Sequence, residues 1–293
     1  MKQAILITAY KDIDKLEILI NQFDNDFSFY IHIDKKSQIP TNHIESLNKI
    51  ATVKVVSRKY SINWAGFNHT KAILHLTEEA LKNKNIEYIH LISGQDYPIK
   101  SSNQIKDFLR SNRGSEFIEN FKLPYEKWAD HGGLDRINYY RFYDYLNAQS
   151  KNQKRILNII VKIQKIFNFK RSRKNLPKNI YGGWAWFTLT RECMQYITDY
   201  TKENPKYFKR YEYTSAACEI YFHTIIMNST FSKNVVNNDL RYIKWEGNKP
   251  NPEILNKKHY HNMIKSDALF TRKIDYTISE KLLKKLDIYR KDN

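Results

Sequence analysis

Apolar residues in the first hundred positions fall into short unbroken runs separated by polar turns. Ala4–Ala9 (AILITA), Phe27–Ile33 (FSFYIHI), Val53–Val56 and the run beginning at Tyr88 each have the length and continuity of a strand covered on both faces. Between them the spacing changes to threes and fours. Ile13, Leu16, Leu19, Ile20 and Phe23 mark one helix, and Ala72, Ile73, Leu76, Ala80 and Leu81 form the inner stripe of a second over Asn68–Leu81. Strands alternating with helices over short connections predict βαβ units and a largely parallel sheet.

The stretch 88–100, YIHLISGQDYPIK, is the most informative. Its strand stops at Ser93-Gly94-Gln95-Asp96, and Pro98 prevents it from continuing as a central strand. Open α/β sheets place ligands outside such carboxyl ends. The plain alternative is a strand-to-helix turn with Ser101 or Ser102 capping the next helix. Two more strands end in polar turns, Tyr10-Lys11-Asp12 and Asp34-Lys35-Lys36, and a parallel sheet would set all three along one cleft. The sequence has neither GxGxxG nor GxxxxGK[ST], which disfavours a dinucleotide fold and a P-loop enzyme.

The second half is more aromatic. Glu116–Glu119 reads as a short strand, followed by Trp128, Arg136, Tyr139, Tyr140, Arg141 and Tyr143. Rings interleaved with arginine suit a carbohydrate-binding surface, and equally an aromatic core or an RNA-stacking platform. A glycine turn at Gly182-Gly183 feeds a strand from Trp184, and Thr190 can cap a helix to about Thr201. Thr214–Glu219 opens another helix, which puts Glu219 in a first turn where the helix dipole favours a carboxylate. Leu240–Trp245 reads as a strand and Ser279–Tyr289 as a closing helix.

Composition adds a charge of +18, with 41% hydrophobic and 14% aromatic residues over 293 positions. That supports a real core and suggests a polyanionic neighbour. Lys151–Lys178 alone holds ten basic residues and no acidic one. Ile156, Ile160, Ile163 and Phe167 share a helical face there, so this segment is a candidate for contact with an anionic membrane surface or a solvated insertion packed on the domain. Two cysteines, Cys193 and Cys218, match no zinc or disulfide pattern. No run of 18 or more apolar residues occurs, and the N-terminal run is too short for a signal peptide. The expected location is cytoplasmic, with peripheral attachment to the inner face of the cell membrane.

Taken together and in order, AYKD, FYIHIDKKS, INWAGFNHTKAIL, YIHLISGQDYPIKS, GGWAWFTLTREC, SAACEIYFHTIIMNS, LRYIKW and SDALFTRKID resemble the core-2/I-branching β-1,6-N-acetylglucosaminyltransferase family, which also holds the peptide O-xylosyltransferases. The resemblance spans residues 9 to about 275. It implies a single GT-A-type α/β domain over 1–293: a nucleotide-binding half, 1–112, and an acceptor and catalytic half, 113–293, with a basic insertion at about 150–179. It further implies inverting transfer from a UDP-sugar, N-acetylglucosamine being the family's commonest, to a glycan or lipid-linked oligosaccharide hydroxyl, without a cofactor or divalent metal. Without a metal, the departing diphosphate needs cationic side chains.

By the same resemblance, Glu219 in Ala217-Cys218-Glu219 is the catalytic base, although the family's Pro and Asp before it are replaced. Lys273 in LFTRKID is the first candidate to hold the diphosphate, with Lys244 or Lys249 as a second. Donor contacts fall on Ala9, Tyr10, Lys11, Ile33, Asp34, Lys35, Asn63 and Trp64, with Asp96 reaching the donor sugar. Acceptor contacts fall on Glu119, Trp128, Arg136 and Trp184. Two other classes fit parts of the sequence: a basic nucleic-acid-binding protein, which lacks any recognisable binding module here, and a non-catalytic sugar-binding module. Xylose, glucuronate and galactose are alternative donor sugars within the family.

Overall fold

Residues 1–247 and 251–292 are described by a computed structural model. Seven strands form one sheet in the spatial order Val235–Val236, Glu116–Ile118, Phe187–Thr190, Ile86–Ser93, Lys2–Ala9, Phe27–Ile33, Val53–Ser57. The last four pair in parallel, as the alternation of strands and helices predicts. Phe187–Thr190 inserts antiparallel between Ile86–Ser93 and Glu116–Ile118, so the sheet is mixed.

Phe27–Ile33 and Asn68–Leu81 occupy the residues their patterns predict. The first helix is shorter than its stripe. A 3-10 turn, Ile13–Lys15, precedes only Leu16–Ile20, because Asp12 enters in a left-handed conformation (φ 52°). Ser101 caps Ser102–Ser111 through a reciprocal capping box with Gln104, satisfying two helix-end donors at once.

Apolar side chains pack on both sheet faces. One cluster joins Ala4, Leu6, Ile73, Leu76, Phe187, Ile220 and Phe222; the other joins Ile5, Ile7, Leu16, Phe29, Ile105, Phe270 and Leu286. Each draws on both sides of position 112, so the two halves share their cores. Several buried polar side chains cross-link the central strands, although Gln3 Nε2 and His32 Nδ1 are left without a hydrogen-bond partner. His90 bonds Thr188 Oγ1 (2.9 Å) and Gln3 Oε1 (2.6 Å). Arg241 staples neighbouring strands by donating to the carbonyls of Leu91 (2.9 Å) and Phe187 (2.8 Å).

A smaller sheet controls the position of the C-terminal cations. Phe270–Arg272 runs parallel to Arg241–Ile243 and antiparallel to Tyr97–Pro98. Ile99 N donates to Leu269 O and Ile274 N to Gln95 O, both at 2.8 Å. The segment after the 86–93 strand is thereby bracketed by residues 269–274.

The basic segment forms a helix, Lys151–Ile166, which packs on the domain through a face other than the Ile156–Ile163–Phe167 stripe. Leu157, Val161 and Gln164 are buried, whereas Ile156, Ile163 and Phe167 point to solvent. The helix carries apolar residues on two faces, and the polar contacts of Gln164 select which one docks. Its side chain bonds both the Tyr140 N–H (2.8 Å) and the Tyr140 carbonyl (3.0 Å).

Candidate functional site

The strand ends meet as the parallel register requires. Thr8 lies opposite both His32 and Ser93. Asp34 N donates to Ala9 O (2.8 Å), Gly94 N to Thr8 O (3.2 Å), and Ser37 Oγ to Tyr10 O (2.6 Å). Tyr10 is exposed and its hydroxyl reaches Gln95 Oε1 at 3.1 Å. Ala9 and Ile33 are buried and contribute backbone, while the Lys35 side chain is exposed. The Asp34 carboxylate accepts from Lys36 N and Ile62 N, each at 3.0 Å. It therefore braces the 61–66 turn against the second strand. Asn63 accepts from the Lys36 ammonium and donates to Tyr143 O (2.8 Å). Trp64 projects beyond this frame, 54% exposed, with Tyr143 edge-on to it.

A cationic cluster lies beside these ends. Arg272 packs its guanidinium 4.0 Å over the Trp186 ring and lies 3.4 Å from Asp96 Oδ2. Asp96 is buried and also accepts from the backbone and hydroxyl of Ser93. Its oxygens are thus occupied by Arg272 and Ser93. Burial, and then the charges of Arg272 and Lys11, hold the Lys273 ammonium below its ordinary pKa. Three cations in mutual range make a place where an anion relieves repulsion. Lys11 is partly balanced by Asp12 (3.1 Å). Sequence reading missed Arg272, although it adjoins Lys273, because its role comes from the pairing with Tyr97–Pro98. Lys249 lies outside the described residues, and Lys244 is exposed.

Glu219 is not in the first turn of an α-helix. It ends a 3-10 turn, Ala217–Glu219, and Ile220 (φ −133°) breaks the path before Tyr221–Met227 begins. The dipole argument from sequence therefore gives way to a direct ion pair. Arg136 Nη1 lies 2.6 Å from Glu219 Oε2, with the two side chains 21% and 23% exposed. Burial raises the Glu219 pKa above its ordinary value, and the charge and hydrogen bond of Arg136 oppose that rise. A carboxylate so poised can take a proton. Its loop is tied on the N-terminal side by two adjacent bonds: Ala216 N donates to Ala65 O (2.8 Å), and Ser215 N to Arg136 O (3.2 Å).

Trp128 is buried, with the Arg136 guanidinium 3.8 Å above its ring and Phe121 edge-on to it. It supports Arg136 and does not present an open face to a sugar. Gly133 and Gly182 allow this packing, since a Cβ on them would meet the Trp128 ring at 2.5 and 3.0 Å. Glu119 is half-buried; burial and Asp239 raise its pKa, and a hydrogen bond from the Trp184 side chain opposes them. Trp184 stacks on Trp245 with centroids 4.9 Å apart, a pairing the sequence did not suggest.

One strand entry links the Glu219 loop to the cationic cluster. Gly183 N donates to Glu219 O (2.9 Å), and three residues on, Trp186 carries Arg272. Among the described residues, no group of three or more His, Cys, Asp or Glu side chains is placed to hold a metal ion.

Residues 4–268 match the family described as Branch, Core-2/I-Branching enzyme. Among curated proteins, the chain is 24% identical to Xylosyltransferase oxt of Drosophila pseudoobscura pseudoobscura, over 74% of this chain and 23% of that one. It is 23% identical to Xylosyltransferase 1 of Mus musculus, over 92% of this chain and 28% of that one. The chain thus spans about a quarter of the length of these relatives. Among solved structures, S. aureus TarS 1-349 in complex with UDP-GlcNAc aligns over 40% of this chain and 34% of that one, with 16% identity and a TM-score of 0.30.

Proposed function

Because the chain belongs to the Core-2/I-Branching enzyme family and has its GT-A-type α/β fold, we propose that it is an inverting glycosyltransferase using a UDP-sugar. The observation that carries this reading is that one strand entry ties both groups together: Gly183 binds the backbone of Glu219, which pairs with Arg136, and Trp186 carries Arg272, beside Lys273 and Lys11. In the proposed reaction Glu219 takes the proton of an acceptor hydroxyl, whose oxygen attacks the anomeric carbon from the face opposite the diphosphate. A carbon–oxygen bond forms as the bond to the β-phosphate oxygen breaks, and UDP leaves with the electron pair. Arg272 and Lys273 stabilise the charge that develops on it, so the reaction proceeds without a divalent ion.

The uridine lies against Tyr10, the backbone of Ala9 and Ile33, and the Asp34–Trp64 frame. The acceptor, a glycan hydroxyl of a surface polysaccharide or lipid-linked oligosaccharide, lies against Trp184 and Glu119. UDP-N-acetylglucosamine is the first donor in this proposal. UDP-xylose is the second, because the curated relatives are named xylosyltransferases.

A donor screen by UDP-sugar hydrolysis and calorimetry, run with Glu219→Gln, tests the assignment. The expected result is UDP binding within about twofold of wild type and turnover lowered by at least ~100-fold, as loss of a general base requires. Turnover near the wild-type level would remove Glu219 from the role. Turnover of the wild-type protein should persist in excess EDTA, and a strict divalent requirement would refute the metal-free scheme.

A further inference from the structure

The Lys151–Ile166 helix seats its Leu157–Val161–Gln164 face on the protein and turns a second apolar face outward. Ile156, Ile159, Ile163, Ile166 and Phe167 recur at helical spacing along it, followed by Phe169; each is between 47% and 77% exposed. These six are among fourteen exposed large hydrophobic side chains in the described chain, so they form a cluster and not a scatter. Arg155 and Lys162 border the stripe on the helix, and Lys170, Arg173, Lys174 and Lys178 follow in the exposed segment after it. No acidic residue occurs between positions 151 and 178.

The element is firmly mounted. Lys165 bonds the buried Asp135 at 2.6 Å, Phe169 N donates to Gln164 O (2.8 Å), and Phe169 stacks on Tyr140. No described helix is long and apolar enough to cross a membrane. A narrow apolar ridge edged by cations, fixed to a folded body, has the amphipathic form of an element that lies in a lipid–water interface.

We propose that this outward face is a docking surface for an anionic lipid bilayer, with the isoleucine and phenylalanine side chains entering the headgroup boundary and the bordering cations meeting lipid phosphates. Charge complementarity favours lipid over a second copy of this chain, whose same face would bring cations against cations. The mounting gives the contact a purpose. Lys165 holds Asp135, the neighbour of Arg136, and buried Arg171 donates to Thr214 Oγ1 (3.2 Å) ahead of the Glu219 loop. Docking would place the acceptor side of the cleft near the bilayer. That corollary, unlike the docking itself, rests on the function proposed above.

The full chain is to be sedimented with phosphatidylcholine vesicles, with and without about 30% phosphatidylglycerol, at low and high salt. The expected outcome is at least ~10-fold stronger partitioning onto the anionic vesicles, weakened by salt. Ile163→Ser/Phe167→Ser should lose about tenfold in partitioning with little change in thermal unfolding, because Ile163 is 50% and Phe167 77% exposed. Arg155→Gln/Lys162→Gln should reduce the anionic preference while the folded state is retained. Equal binding to both vesicle types, no binding, or binding unchanged in both variants would overturn the proposal. So would a concentration-dependent dimer abolished by the Ile163/Phe167 variant, or RNA binding that this variant retains in place of vesicle binding. Sedimentation reads no turnover, so failure here leaves the Glu219 assignment standing, and the reverse also holds.

Discussion

Replacing Arg136 by Met separates two roles that its position could serve. The methionine keeps an unbranched apolar stem over Trp128 and removes only the charge and the hydrogen bonds. An opposite charge at this range depresses a carboxylate pKa by about 1–3 units. With Arg136 and Glu219 each about one-fifth exposed, solvent screening favours the lower part of that range, about 1–2 units or about 1.4–2.7 kcal/mol. Burial already pushes the Glu219 carboxyl up, so losing the opposing guanidinium raises it further. Glu219 acts as a base only when ionised. The acid limb of the kcat/KM profile should therefore move upward by about 1–2 units. Below both limbs the variant should be about 10- to 100-fold slower, and much of that deficit should vanish at high pH. Initial rates with the donor found by screening, measured across pH for wild type, Arg136→Met and Arg136→Lys, provide the assay. A uniform loss at every pH with an unmoved limb would refute the reasoning and return Arg136 to acceptor binding.

Two further predictions concern the scaffold. Burial pushes the Glu116 carboxyl from an ordinary 4.5 to about 7, despite hydrogen bonds from Thr190. Between those values the folded chain holds a proton that the unfolded chain has released. Stability from this group thus falls as pH rises through that window, by on the order of 3 kcal/mol. Urea midpoints of wild type and Glu116→Gln at about pH 5 and pH 8 should converge at the lower value and separate at the higher one, with the variant losing less; parallel pH dependence would contradict it. A Cβ on Gly183 would lie 1.9 Å from the Glu119 carbonyl oxygen and 2.7 Å from the His223 ring. Gly183→Ala should therefore cost about 3 kcal/mol or more in chemical denaturation, and a wild-type midpoint would contradict the close approach.

The sheet was legible because strands covered on both faces leave continuous apolar runs, as Phe27–Ile33 does, and because Ser101 with Gln104 spells a helix start locally. What local pattern could not supply was any partnership made by distant chain segments. Arg136 and Glu219 are 83 residues apart, and Arg272 acquires its place only when Phe270–Arg272 pairs with Tyr97–Pro98. The basic helix shows a different limit. Periodicity identifies an apolar face but not which of two such faces docks, and there Gln164 decided the outcome against the isoleucine stripe. For Glu219, the helix expected from Ile220 begins at Tyr221, and Glu219 lies in a separate 3-10 turn before it, which removed the dipole from the argument.

The hydrogen bond from Ala216 N to Ala65 O joins two loops that each hold an alanine in left-handed backbone, at φ 48° and 62°. Such conformations are uncommon outside glycine and persist only where the surroundings enforce them. Here each loop enforces the other, so whatever settles the Trp64 turn also settles the geometry of Glu219. For the proposed reaction this is a statement about coupling between the two substrates. In that proposal, a donor that fixed the Trp64 turn would raise the acceptor's affinity, and the acceptor would return the same free energy to the donor. The Ala216–Ala65 hydrogen bond would be the backbone link through which that coupling passes.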